Sequence, residues 1–213
     1  MTCKHCETIT HVLFVLDSSG SMASRKAETI NTFNAQVEKI KSELPKLGKT
    51  DVSLVFFGET AAPVRVAQRC VPIDSVALLN DATYLPQGYT PMRDGIGTAL
   101  SIGEAVDNKG ENEAFLLICI TDGAENASRE WTPSALAAKV EALRGTNRWT
   151  FQVLGTNIDF TNVKDFGIAR SEYSNFKSMN VANESLTDSL SRYAHSRSLG
   201  KSSTDGLSIP DSN

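Results

Sequence analysis

The sequence predicts an α/β protein built on a doubly wound, mostly parallel sheet, with helices on both faces and one antiparallel edge strand. Short apolar runs suited to strands buried on both faces recur along the chain: HVLFVLD at His11–Asp17, VSLVFF at Val52–Phe57 and AFLLICIT at Ala114–Thr121. Between them lie stretches whose apolar residues repeat at three- and four-residue steps, the stripe of an amphipathic helix. That alternation suits a parallel sheet, because each parallel pair needs a crossover and a helix supplies it.

After the first strand and the polar turn SSGS, Ala23, Ala27, Ile30, Phe33, Val37, Ile40 and Leu44 mark a helix over Met22–Leu44, ended by Pro45 and Gly48. The second strand is Val52–Phe57. Ala62–Val71 reads as the edge strand, because Arg65 and Gln68 interrupt its hydrophobicity. The turn-rich LPQGYTP at Leu85–Pro91 leads into a helix over Met92–Asp107. After the Ala114–Thr121 strand, Thr132-Pro133 starts a helix over Ser134–Leu143. Trp149–Leu154 is a further strand, followed by a short helix at Phe160–Phe166, a short strand at Asn175–Lys177 and a final helix at Ser185–Ser196. These elements give an N-terminal extension over 1–10, one domain over 11–199 and a disordered tail over 200–213.

Composition narrows the function classes. The chain of 213 residues has 40% hydrophobic and 22% charged residues, enough apolar surface to bury a core. Lys plus Arg number 21 against 25 for Asp plus Glu, and a net charge of -4 gives no general reason to bind nucleic acid or anionic lipid. No apolar run approaches the ~20 residues of a membrane span, and MTCKHCETITH lacks a signal-peptide core, so a cytoplasmic setting is expected. Cys70 and Cys119 sit in apolar contexts and read as small buried hydrophobes. Cys3 and Cys6 form a C-x-x-C with no second pair; His5 or His11 would have to complete a zinc site, and a frayed, reduced dithiol is the simpler reading.

In a doubly wound sheet, ligands bind in loops beyond the carboxyl ends of the strands. Three polar loops belong there: Asp17–Ser21, Gln87–Thr90 and Asp122-Gly123. Asp17, Ser19, Ser21, Thr90 and Asp122 offer only oxygen, with no thiolate or imidazole, which suits a hard cation. The hydroxyls of Ser19, Ser21 and Thr90 would bind magnesium directly, while Asp17 and Asp122 hold waters and orient the hydroxyls. Neutral ligands leave the ion's charge under-neutralised, so the open position should attract an outside carboxylate. Nearby, Asp94 reads as a first-turn acid serving the helix dipole, Glu125 and Asn126 as candidate rim residues, and Arg93 and Arg129 as candidate guides for an acidic partner.

The D-x-S-x-S at Asp17, Ser19 and Ser21, the T-P at Thr90 and the T-D-G at Thr121–Gly123 resemble the metal-ion-dependent adhesion site of von Willebrand factor A domains, over about His11 to Leu154. The resemblance implies magnesium or manganese, ahead of calcium, at these five positions, with an Asp or Glu of a protein partner as the sixth ligand. TDGAENASREWT also resembles a bacterial and phage subgroup of intracellular A domains. A non-enzymatic, metal-dependent protein-binding module is therefore expected.

Two other classes remain on the residues alone: a metal-dependent hydrolase using the open position to activate water, and a scaffold that assembles through the Ala62–Val71 edge with a vestigial metal site. Enzymatic motifs are weak. An aspartyl nucleophile typically has a second acid where Ser19 stands, G-x-S-x-G is absent, and His5, His11 and His195 lie near the termini. Gly95-Ile-Gly97 imitates part of a dinucleotide fingerprint inside a helical pattern, where glycines instead permit close packing. The glycosylation patterns at Asn126 and Asn183 mean nothing without secretion.

Overall fold

The computed structural model describes residues 8–108, 112–156, 166–176 and 179–199. Its strands are β1 (Thr8–Asp17), β2 (Gly48–Phe57), β3 (Val64–Pro72), β4 (Glu113–Thr121), β5 (Trp149–Thr156) and β6 (Tyr173–Phe176). The main helices are α1 (Lys26–Glu43), α2 (Met92–Val106), α3 (Pro133–Arg144) and α4 (Met179–Ser198). The strands form one sheet in the order β3-β2-β1-β4-β5-β6, parallel throughout except for β3, which runs antiparallel to β2. The edge strand is therefore antiparallel, as the sequence predicts.

Although β1 is apolar without a break from Val12 to Leu16, its residues alternate between two cores. Val12, Phe14 and Leu16 pack with Phe33, Val37 and Ile40 of α1 and Leu186, Leu190 and Tyr193 of α4. On the opposite face, Leu13 and Val15 share a core with Ile96 and Leu100 of α2, Leu136 and Val140 of α3, and Trp149 and Phe151 of β5. Burial on both faces explains the near-continuous hydrophobic runs. The glycines of α2 serve packing, not phosphate binding: a Cβ on Gly97 would lie 2.2 Å from Trp131 Nε1, and one on Gly103 2.4 Å from Trp149 Cη2.

Several boundaries differ from the sequence pattern. Residues Gly20–Arg25 form a 3-10 turn before α1, so the helix starts at Lys26 although Met22 is fully buried. α4 begins at Met179 rather than Ser185, and β6 at Tyr173 rather than Asn175. Cys70 is half-buried at positive φ (49°), where β3 slips register against β2, and its N–H donates to Ser53 Oγ. Cys119, by contrast, is fully buried. The Cys3–Cys6 pair with His5, the 160–166 helix apart from Phe166, Lys177 and the 200–213 tail lie outside the described residues. No helix among the described residues is long and apolar enough to cross a membrane.

Candidate metal centre

The chain leaves β1 toward β2 and β3, then returns to β4 on the other side of β1, so the switch in strand order falls between β1 and β4. Asp17 ends β1 and Asp122 follows β4, which places both acids at the crevice where such sheets bind ligands. The loop after β1 is fixed by its backbone. Ser18 N–H donates to Phe57 O (2.7 Å), Gln87 N–H to Ser18 O (2.7 Å) and Gly20 N–H to Gly88 O (3.0 Å), while the Tyr84 hydroxyl donates to Asp17 O. Such close approach requires glycine at Gly58 (φ 102°), where a Cβ would lie 2.6 Å from Ser19 N.

All five sequence-predicted residues lie on these loops. Asp17 is fully buried; its Oδ1 accepts from Ser19 N–H at 2.7 Å and its Oδ2 accepts from the Thr121 hydroxyl. Ser19 Oγ and Ser21 Oγ stand 3.1 Å apart, and Ser21 Oγ donates to Asp122 Oδ1 at 2.6 Å. Thr90 joins from the third loop: a Cβ on Gly123 would lie 3.2 Å from Thr90 Oγ1 and 3.7 Å from Asp17 Oδ2. A side chain at Gly123 would crowd those oxygens. Burial pushes the Asp17 carboxyl up to about 6, against the pull of its Ser19 and Thr121 hydrogen bonds, with Asp122 adding a smaller upward push. A cation beside these acids would favour their ionised forms.

The donor set fits magnesium. Two cis ligands at 2.0–2.1 Å on an octahedral ion are about 2.9 Å apart, close to the Ser19–Ser21 separation. Ser21 gives its proton to Asp122 and keeps oxygen lone pairs for coordination. Among the described residues no three His, Cys, Asp or Glu side chains gather as a metal-binding group, so any ion here depends on hydroxyls.

Hydrogen bonds also staple the loop after β4, a role the sequence reading missed. Asp94 does not merely face the α2 dipole: its carboxylate accepts from the N–H groups of Arg129 (2.8 Å), Glu130 (3.1 Å) and Trp131 (2.9 Å). Glu125 accepts from the N–H groups of Arg93, Ala127 and Ser128, and Asn126 Oδ1 from Thr90 N–H at 2.8 Å. The Arg93 Nε–H donates to Trp131 O (2.8 Å), so this arginine braces the loop. The available signal was a polar run, TDGAENASREWT, with no apolar residue before Trp131 except alanines to anchor it. Beside Thr90 a cleft of about 450 Å³ opens between Tyr89, Pro91, Gly58 and Arg129, and Tyr89 is 77% exposed.

A family model for the von Willebrand factor type A domain matches residues 11–191. Solved structures with similar folds include proximal thread matrix protein 1 from the mussel byssus (16% identity, TM-score 0.58, covering 89% of this chain and 49% of that one). The pilus adhesin SpaC from Lactobacillus rhamnosus GG matches at 14% identity and TM-score 0.62, over 91% of this chain and 31% of the adhesin. The SpRpn10 VWA domain matches at 10% identity and TM-score 0.55, over 83% of this chain and 94% of that domain. The chain thus spans about half of the mussel protein and about a third of the adhesin, and at these identities the likeness is one of fold.

Proposed function

This chain belongs to the von Willebrand factor type A domain family, and from that premise we propose that it is a magnesium- or manganese-dependent protein-binding module that takes an Asp or Glu of its partner. The observation that carries the reading is the hydroxyl pair of Ser19 and Ser21 at 3.1 Å, with the Ser21 proton turned onto Asp122. Ser19, Ser21 and Thr90 would hold the ion directly. Asp17 fixes the Ser19 backbone and Asp122 the Ser21 hydroxyl, so both acids orient ligands. The ion's chemistry is to present positive charge that neutral hydroxyls leave largely uncompensated. The Tyr89–Arg129 cleft beside Thr90 offers contact surface for residues flanking the partner's acid.

A binding role is favoured over hydrolysis because the described histidines are far from these loops. His11 lies toward the start of β1, and His195 is on the last turns of α4, whose Arg197 reaches Asn112 O before β4. The unpaired Cys70 and Cys119 suit a reducing, cytoplasmic setting. The test is co-purification of tagged wild type, Ser19→Ala and Ser21→Ala with acidic partners, with and without chelator. Capture lost with chelator and in both variants is expected. Capture that persists in all three conditions would move the interaction to another surface, such as the β3 edge, and turnover of a phosphate or peptide substrate abolished by Asp122→Ala would favour the hydrolase.

A further inference from the structure

Asp122 is shared between two neighbours. Its Oδ1 accepts from Ser21, and its Oδ2 lies 3.3 Å from Arg25 Nε, with the aspartate side chain 8% and the arginine side chain 23% exposed. This is a largely sheltered ion pair, so water screens it far less than a surface pair. Arg25 reaches the site because the 3-10 turn over Gly20–Arg25 carries it back from the D-x-S-x-S loop before α1 begins. Its guanidinium thus places a fixed positive charge against the acid that orients a candidate metal ligand. One turn along, Glu28 Oε2 is buried with no hydrogen-bond partner, an acceptor at i+3 spacing for a guanidinium displaced from Asp122.

We propose that Arg25 is a positioning residue that sets the metal affinity of the centre, acting as an internal cation that competes with the divalent ion for the negative charge of Asp122. The inference rests on the metal-binding reading above. It makes the wild-type affinity weaker than the oxygen set alone would give, so the site fills only at higher free magnesium. Removing the charge should tighten the site; keeping it on a lysine should largely preserve the wild-type affinity. Arg192, exposed on α4 and away from these loops, serves as the control for a change in net charge alone.

The experiment is calorimetric titration of magnesium into chelator-stripped wild type, Arg25→Gln, Arg25→Lys and Arg192→Gln, with thermal melts confirming that each is folded. Arg25→Gln should bind magnesium about tenfold more tightly, with Arg25→Lys and Arg192→Gln within about threefold of wild type, the smaller effect of an exposed or retained charge. The gain should largely persist as salt is raised, because the pair is sheltered. Wild-type and Arg25→Gln affinities that coincide, or equal gains in Arg25→Gln and Arg192→Gln, would overturn the role of Arg25 while leaving the metal site standing. No saturable uptake by any variant would overturn the metal site and this inference with it. If Arg25→Gln is unfolded when stripped, Arg25→Met provides the same loss of charge with an apolar stem, and the same criterion applies.

Discussion

The two ends of the sheet hold buried polar groups in opposite ways. At the carboxyl end, backbone hydrogen bonds tie the loops together, and the hydroxyls of Ser19 and Ser21 meet at 3.1 Å at the crevice. At the amino end, rings and ion pairs close the structure: His11 stacks on Phe115 (4.9 Å), Phe115 on Trp149 (4.4 Å), and Arg148 grips Asp107 with two 2.6 Å bonds. One end spends its backbone polarity on loop geometry and carries the hydroxyls that we propose hold an ion; the other satisfies or buries its side chains. Substitutions at the amino end should therefore change stability without changing binding, and hydroxyl deletions at the crevice should do the reverse.

The largest effect should come from Trp149→Ala, which empties the stack over Gly103 and should cost about 3–5 kcal/mol in denaturant unfolding, with the folded fraction keeping wild-type magnesium affinity. Asp94→Ala blurs the division deliberately. Three N–H groups lose their acceptor, which should cost about 2–3 kcal/mol, speed amide exchange at residues 129–131 and weaken metal binding through the Asn126–Thr90 link. A stable Asp94→Ala protein with protected amides would show that the loop is held by something else.

Ser19→Ala should shift stability by less than about 1 kcal/mol yet abolish saturable magnesium uptake, measured by calorimetry. The smallest effect concerns pH. Burial lowers the His11 pKa below its ordinary 6.5, against the partial upward pull of Asp51, Glu113 and Asp107. A depressed histidine favours the neutral folded form, so its contribution is complete above the unfolded value and is lost as pH falls through the folded one. Melting temperature should drop more steeply below pH 6.5 in wild type than in His11→Phe, with magnesium affinity at neutral pH unchanged. Parallel curves would remove His11 from the acid response.

Much of this division is legible in the sequence where a residue's role follows from its immediate neighbours. The positions of Asp17 and Asp122 at strand ends are legible because each terminates an apolar run buried on both faces, and that of Thr90 before α2 because a turn-rich segment precedes the helix. Other roles depend on residues far apart in the chain. Nothing local marks Tyr84 as the donor to Asp17 O, Gly88 as the acceptor for Gly20, or Asp94 as the anchor of three amides more than thirty residues on. The start of α1 is misread for the same reason: Met22 and Ala23 fit the helical stripe, but loop contacts with Phe57, Gln87 and Gly88 hold the preceding turn in a tighter winding.

The most direct measurement is calorimetric titration of magnesium into chelator-stripped wild type and Ser21→Ala, both shown to be folded by their melts. Saturable one-site uptake by wild type, absent from Ser21→Ala, is the expected result. Equal uptake by both proteins, or none by wild type, would contradict an ion held by the Ser19 and Ser21 hydroxyls.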